Sequence, residues 1–203
     1  SKGVIGFDLS FFPNQEFDEL TIWGKDEHGI FSRLCGVIRA SGFNILGARI
    51  ATRSDGRILD VFYVNRLGKS SGGEDALCKK LDDNLNGVLS GKLDLEKLVA
   101  KRKKDRSLYG KAIPQYPTRI EVDNEASDKA TVIDVYTYDR AGLLYDITKT
   151  IRELNLSIEY AKISTKVDQV VDAFYVVDSK GKKITDKEKI EDIKAAIFHA
   201  ISN

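Results

Sequence analysis

Methionine is absent from the 203 residues, and the chain opens at Ser1, a combination that fits a piece cut from a longer protein. Histidine is almost absent. His28 and His199 are the only two, so a zinc site built from several His, or a His-Asp metal cluster, has no donors to draw on. The two cysteines, Cys35 and Cys78, stand in no spacing that suggests a metal site or a redox pair. Cys35 lies among apolar helix positions and reads as a buried structural thiol. No apolar run approaches the ~20 residues of a membrane helix, and no basic segment followed by an apolar one opens the chain. The chain therefore reads as cytoplasmic, with no membrane partner. Net charge is missing as well: 32 Lys and Arg face 31 Asp and Glu, so no global field draws the protein to nucleic acid.

Catalytic signatures are missing too. The sequence contains no Gly-x-Ser-x-Gly, no phosphate loop ending in Gly-Lys-Ser/Thr and no Gly-x-Gly-x-x-Gly. Gly72-Gly73-Glu-Asp stands before a helix in a Ser-rich turn and reads as a loop and helix start. No catalytic residue is assigned. RNA recognition is excluded by third strands that lack the basic-Gly-aromatic run on which bases stack.

What is present is said twice. Asp26-Glu-His-Gly-Ile-Phe, Ala48-Arg-Ile-Ala-Thr and Asp60-Val-Phe-Tyr-Val are echoed by Asp139-Arg-Ala-Gly-Leu-Leu, Ala161-Lys-Ile-Ser-Thr and Asp172-Ala-Phe-Tyr-Val. Asp139 stands 113 positions after Asp26 and Thr165 stands 113 after Thr52; the offset drops to 112 at Asp60 and Asp172, as one deletion in a turn would produce. Self-similarity of this length, with the motifs in one order, means two copies of one supersecondary unit. At 203 residues the chain is long enough for two small domains.

The second copy shows the unit clearly. Thr131 to Tyr138 is β-branched and aromatic, a strand by propensity and period. Asp139-Arg-Ala-Gly142 breaks it, and Leu143, Leu144, Ile147, Ile151 and Leu154 then recur at helical spacing. Asn155 ends that helix. Ile158 to Thr165 and Val170 to Val177 follow as strands around a turn near Asp168, and Asp186 to Ile201 as a second helix. The first copy repeats the order: strand Glu19 to Lys25, helix Ile30 to Ser41, strands Asn44 to Arg53 and Arg57 to Asn65, helix Gly73 to Leu89. The fold class is α+β, two ferredoxin-like (βαββαβ) domains in tandem, with antiparallel sheets and helices on one face. The divisions are an N-terminal strand-like segment over 1–16, a first domain over 17–126 with a helical insertion at about 93–117, and a second domain over 127–203. Arg119 to Asn124 is expected to supply the first copy's fourth strand. Val4 to Phe11, or a neighbouring subunit, would complete the second sheet, although the two spare strands could be exchanged. The basic run Lys101 to Arg106 reads as a solvated helix end or a contact with another domain.

The strand-to-helix turns are the candidate sites. Gly29 or Gly142 lets the backbone turn sharply and leaves the N-H groups of the helix start uncovered. Those donors and the positive end of the helix dipole favour a carboxylate. Asp26 or Asp139 ahead could accept from an amino group of the same ligand. Such parts suit an α-amino acid, and the same pattern also makes an ordinary capped turn. Asp60 and Asp172 sit inside apolar strands and need partners. Arg49 and Lys162 on the adjacent strands would supply them as cross-strand pairs, the alternative being a catalytic carboxylate. Thr52 and Thr165 read as strand residues.

These residues resemble the ACT-domain family, through the Asp-x-x-Gly-Leu/Ile-Leu/Phe turns at Asp26 and Asp139, the Ala-Arg/Lys-Ile-x-Thr strands and Asp-x-Phe-Tyr-Val. The last two marks, with Asp123-Asn-Glu-Ala-Ser127 and the position of the second copy, resemble the C-terminal tandem ACT region of bifunctional PII uridylyltransferase/uridylyl-removing enzymes, over about residues 17 to 201. The resemblance implies a non-catalytic regulatory module that binds an amino acid, glutamine, and needs no cofactor or metal. Its implied partners are upstream catalytic domains of the same chain, the PII signalling protein as substrate of the whole enzyme, and a second copy in a homodimer. The implied ligand residues are Asp139, Arg140, Ala141, Gly142, Leu143 and Leu144 in the second turn and Asp26, Glu27, His28, Gly29, Ile30 and Phe31 in the first. Where the family places Pro before its Gly, this chain has His28 and Ala141. Glu27 stands where the second turn has Arg140, so the two sites are expected to be unequal, with the second favoured. An ACT-type interaction or dimerisation module that binds no metabolite is the rival reading.

Overall fold

The computed structural model of the chain describes residues 5–50, 52–68, 73–103, 117–166 and 169–202. The elements run β1 (Gly6–Ser10), β2 (Asp18–Lys25), α1 (Ile30–Ser41), β3 (Phe43–Arg49), β4 (Arg57–Arg66), α2 (Gly73–Leu89), α3 (Leu95–Lys103), β5 (Arg119–Asp123), β6 (Thr131–Tyr138), α4 (Leu143–Glu153), β7 (Ser157–Lys166), β8 (Gln169–Val177) and α5 (Lys187–Ser202). The turn expected near Asp168 and the end of the basic run at residues 104–106 lie outside the described residues.

Period-two alternation sets the faces of the sheet. Leu20 and Ile22 on β2 and Ile58, Phe62 and Val64 on β4 are buried, while Trp23 and Leu59 between them are exposed on the other side. The buried face meets the helices. Helix α1 packs on α2, α3 and α4, and α4 packs on α5, so the helices share one side of the sheet. Because three helices surround α1, almost all of its residues are buried, including the polar Ser32, Arg39 and Ser41. Helix α4 ends where Asn155 takes a left-handed φ of 56° and Leu156 N-H returns to the Ile151 carbonyl, as a helix C-terminus favours.

Each half has the strand order of a ferredoxin-like unit, and the halves join into one antiparallel sheet, β1-β2-β4-β3-β7-β8-β6-β5. The spare strands are exchanged relative to the sequence expectation. Arg119–Asp123 pairs with β6 in the second half, not with the first half, and the N-terminal Gly6–Ser10 pairs with β2 in the first. Strands adjacent in sequence meet through short hairpin loops, which close at lower entropic cost than the return from α3 to the first half would. Side chains fix both hairpins. Asp18 accepts from Phe12 N-H at 3.1 Å and pairs with Arg66 at 3.1 Å, whose guanidinium lies 4.6 Å from the Phe11 ring centroid. In the second hairpin, Thr131 Oγ1 donates to Asn124 Oδ1 at 2.7 Å and Asn124 Nδ2 donates to the Ile184 carbonyl at 2.9 Å.

The seam between halves is approximately two-fold symmetric. Strand β3 pairs antiparallel with β7 over Gly47 to Arg49, and Arg49 lies opposite Lys162. These two are equivalent positions of the repeat, 113 apart. On the helix side, Cys35 hydrogen-bonds with the Thr148 side chain, again its own equivalent. One hydrophobic core crosses this seam and includes Leu34 and its equivalent Ile147, both fully buried. Leu34→Ala and Ile147→Ala are each expected to cost about 2–5 kcal/mol, the range for large-to-small core changes. Because the core is shared, urea denaturation of either variant should remain a single transition; two resolved transitions would contradict a shared core.

Candidate functional site

Antiparallel packing of α1 and α4 brings the start of each helix beside the last turn of the other. Two clefts result. The first is lined by Asp26, Glu27, His28, Gly29, Ile30 and Phe31 from its own turn, by Ser32 and Thr52, and by Thr148, Ile151, Arg152, Leu156, Ser157, Ile158 and Glu159 from the second half. The second is lined by Asp139, Arg140, Gly142, Leu143 and Leu144, by Tyr145, Ile163, Val170 and Asp172, and by Cys35, Arg39, Phe43, Asn44 and Ile45 from the first half. Ala141 takes part through its carbonyl, which accepts from Arg39 Nη1.

Both turns need their glycine. Gly29 has φ 71° and Gly142 φ 81°, the left-handed region in which a Cβ is strained, and neither helix start has a side-chain cap. Ile30 and Leu143 N-H return to the Glu27 and Arg140 carbonyls, so the donors left for a ligand anion are the N-H groups of Phe31 and Ser32 in one turn and of Leu144 and Tyr145 in the other. A Cβ on Gly29 would fall 2.5 Å from Arg152 Cδ, and a Cβ on Gly142 would fall on the Arg39 guanidinium. Arg39 and Arg152 are 113 positions apart, each in the last turn of its own helix. Each glycine turn thus faces an arginine from the opposite half.

The residues after the acids form ion pairs of reversed polarity. Glu27 pairs with Arg33 at 3.0 Å, and at the equivalent positions Arg140 pairs with Asp146 at 2.6 Å. The Glu27/Arg140 difference is therefore a swapped local salt bridge in which the paired charges cancel within each turn. The clefts differ more in space. The first encloses about 190 Å³ and the second about 20 Å³, roughly the room of one water. At the mouth of the first, His28 Nδ1 lies 3.2 Å from Ser157 Oγ, a contact between halves.

The cross-strand pairs expected for Asp60 and Asp172 do not form. Arg49 is opposite Val61 and Lys162 opposite Ala173, each one residue away from the acid and so on the other face of the sheet. Arg49 and Lys162 are exposed, whereas Asp60 and Asp172 are 1% and 2% exposed beneath the helices. Burial pushes the Cys35 thiol well above its ordinary value, and the nearby Asp60 and Asp172 push in the same direction. Asp172 accepts from Ser164 N-H at 3.1 Å.

Sequence reading found the turns and missed Arg39, Arg152 and Glu159, which lie on elements that only packing brings to the clefts, and Ser32, which follows Phe31 in the first turn of α1. The repeat offset could have flagged the arginines, since it matches Arg39 with Arg152. Among the described residues, no group of three or more His, Cys, Asp or Glu is placed to hold a metal ion, and no helix is long and apolar enough to cross a membrane.

The fold and the paired turns are those of a tandem of ACT-like units, and residues 119–202 match the ACR9-like, ACT-like domain. The particular relatives are bifunctional uridylyltransferase/uridylyl-removing enzymes. The one from Azospirillum brasilense is 40% identical over 187 residues, 91% of this chain and 20% of the enzyme. Those from Rhodospirillum rubrum and Bradyrhizobium diazoefficiens are both 35% identical, over 94% and 98% of this chain and 20% and 21% of theirs. The chain thus spans about one fifth of the length of these curated relatives. A crystal structure of aspartate kinase from Synechocystis aligns with 93% of this chain and 27% of its own, at TM-score 0.47 and 14% identity.

Asp172 has a measurable consequence. Burial, aided by the charge of Asp139, raises its carboxyl to about 8 against the hydrogen bond from Ser164. In the unfolded chain an aspartate titrates near ~3.9. Between those values the folded chain keeps a proton that the unfolded chain has released, so this group's contribution to stability falls as pH rises, by at most ~1.4 kcal/mol per pH unit. Asp172→Asn is expected to remove that slope. Thermal midpoints recorded from about pH 5 to about pH 9 should favour the variant increasingly toward the alkaline end; parallel curves would show that Asp172 ionises freely.

Proposed function

We propose that this chain is the amino-acid-sensing, non-catalytic regulatory region of an enzyme of the uridylyltransferase/uridylyl-removing kind, with glutamine as effector. One observation carries the reading: each uncapped glycine turn is completed by an arginine and a strand from the opposite half. A ligand carboxylate there would meet helix N-H groups, and its ammonium group would meet Asp26 or Asp139. Such a ligand touches both halves at once, so its binding free energy depends on how they are arranged. By linkage, an arrangement that binds it better gains population, by no more than the difference in affinity, typically ~1–3 kcal/mol.

In the relatives the region is one fifth of a longer enzyme. The catalytic domains that add and remove the nucleotide on the PII signalling protein would lie elsewhere in such a chain, in the cytoplasm, and the sensing pair would bias one activity against the other. The competing reading, a domain-interaction or dimerisation module that binds no metabolite, draws on the outer face of the sheet. There Trp23, Leu59, Tyr160 and Val171 are exposed large apolar side chains, a surface on which a second copy could pack. Fold alone does not choose between the two.

Isothermal titration calorimetry with glutamine, with glutamate and other amino acids as controls, separates them. Selective saturable binding is expected. Gly29→Val should weaken it at least tenfold through collision with Arg152 and the strained φ, with the far-UV circular dichroism spectrum retained. Absence of binding by any amino acid, with assembly altered by substitution on the outer sheet face, would favour the interaction module.

A further inference from the structure

We propose that Arg39 is the built-in occupant of the second cleft, so that the chain takes one zwitterionic amino acid, in the first cleft, where Ser32 and Arg152 hold its carboxylate. The inference rests on the amino-acid-sensing reading and adds which cleft binds and through which groups.

Approximate symmetry would make the clefts equal, and the two equivalent arginines make them unequal. Arg39 is 5% exposed, donates to the Ala141 carbonyl, and fills the space left by the missing Cβ of Gly142. Asp139 lines the same cavity, so a cation is already housed with an acid there, and about 20 Å³ remains. Arg152 sits differently. Its Cδ and Cγ lie over Gly29, at 2.5 and 3.0 Å from an added Cβ, while its Nε is 3.9 Å away. The guanidinium thus extends past the turn, and about 190 Å³ of cleft stays open beside it.

Ser32 supplies an independent observation. It is 2% exposed and lines the first cleft, and its Oγ has no hydrogen-bond partner. A buried hydroxyl left unmet costs free energy that a ligand oxygen would offset. The second cleft has Tyr145 at the equivalent position; its buried hydroxyl is likewise unmet, but the side chain is far bulkier and about 20 Å³ remains for a ligand there. Charge in the first cleft suits a zwitterion. Arg152 and the Ser32 hydroxyl would meet the carboxylate, and Asp26 and Glu159 on the same walls would meet the ammonium group. Glu27 is already engaged by Arg33.

Calorimetry of the 203-residue chain decides, with L-glutamine as first probe and the remaining standard amino acids after it. One equivalent is expected for the wild type. Ser32→Ala and Arg152→Ala should each weaken binding at least tenfold, and Arg39→Ala should raise the stoichiometry to two. Arg39→Gln, shorter and uncharged, is the second variant in case Arg39→Ala does not fold, with circular dichroism as the check. Two equivalents in the wild type would overturn the proposal, as would one equivalent in folded Arg39 variants or unchanged affinity in Ser32→Ala. Wild-type stoichiometry and the Ser32→Ala affinity decide the matter whether or not the Arg39 variants fold. If neither the wild type nor any variant binds an amino acid, the sensing reading itself falls, and this inference with it.

Discussion

The antiparallel contact between α1 and α4 governs the rest of the molecule, because each helix supplies the start of one cleft and the wall of the other. Cys35 meets Thr148 at its centre, and beneath it β3 and β7 pair around Arg49 and Lys162. Both pairs join equivalent residues of the repeat. An axis that maps a helix onto its neighbour also brings the last turn of one to the first turn of the other. The composite clefts follow from that geometry and need no loop built for the purpose.

The same scaffold then carries two different environments. The turns keep their ion pairs while exchanging the signs of both members, Glu27 with Arg33 against Arg140 with Asp146. Electrostatic balance is thus preserved where a single change would have left a half-buried charge opposed by its neighbour. The helix positions facing the clefts diverged without such constraint. Ser32 in one half corresponds to Tyr145 in the other, and the arginines take different paths over their glycines. Space is concentrated in one cleft, and a buried cation in the other.

The buried acids Asp60 and Asp172 show how alternation overrides simple charge matching. A strand residue one register position from a cation still faces the opposite side, and both acids point under the helices while Arg49 and Lys162 face outward. Arg49 instead lies 5.9 Å from the ring centroid of Tyr63. For Asp172 the outcome is a carboxyl that keeps its proton at neutral pH and accepts from the Ser164 backbone. It therefore serves as a polar member of the core next to the seam.

Local chemistry was legible in the chain itself. The repeat offset, the β-branched alternation of β6 and the helical spacing from Leu143 to Ile151 specify the units, and the turns at Gly29 and Gly142 stand out because only glycine suits their φ. Each of these signals lies within a few residues, which is the range over which propensity and periodicity act. The tertiary structure decided what depends on distant partners: which half each spare strand joins, that two sheets merge through β3 and β7, that Arg39 and Arg152 cross to the opposite turn, and that only one cleft keeps its volume. Those outcomes are set by packing between residues about a hundred positions apart, and the local differences between the motifs, Glu27 against Arg140 and Ser32 against Tyr145, do not by themselves specify which cleft stays open.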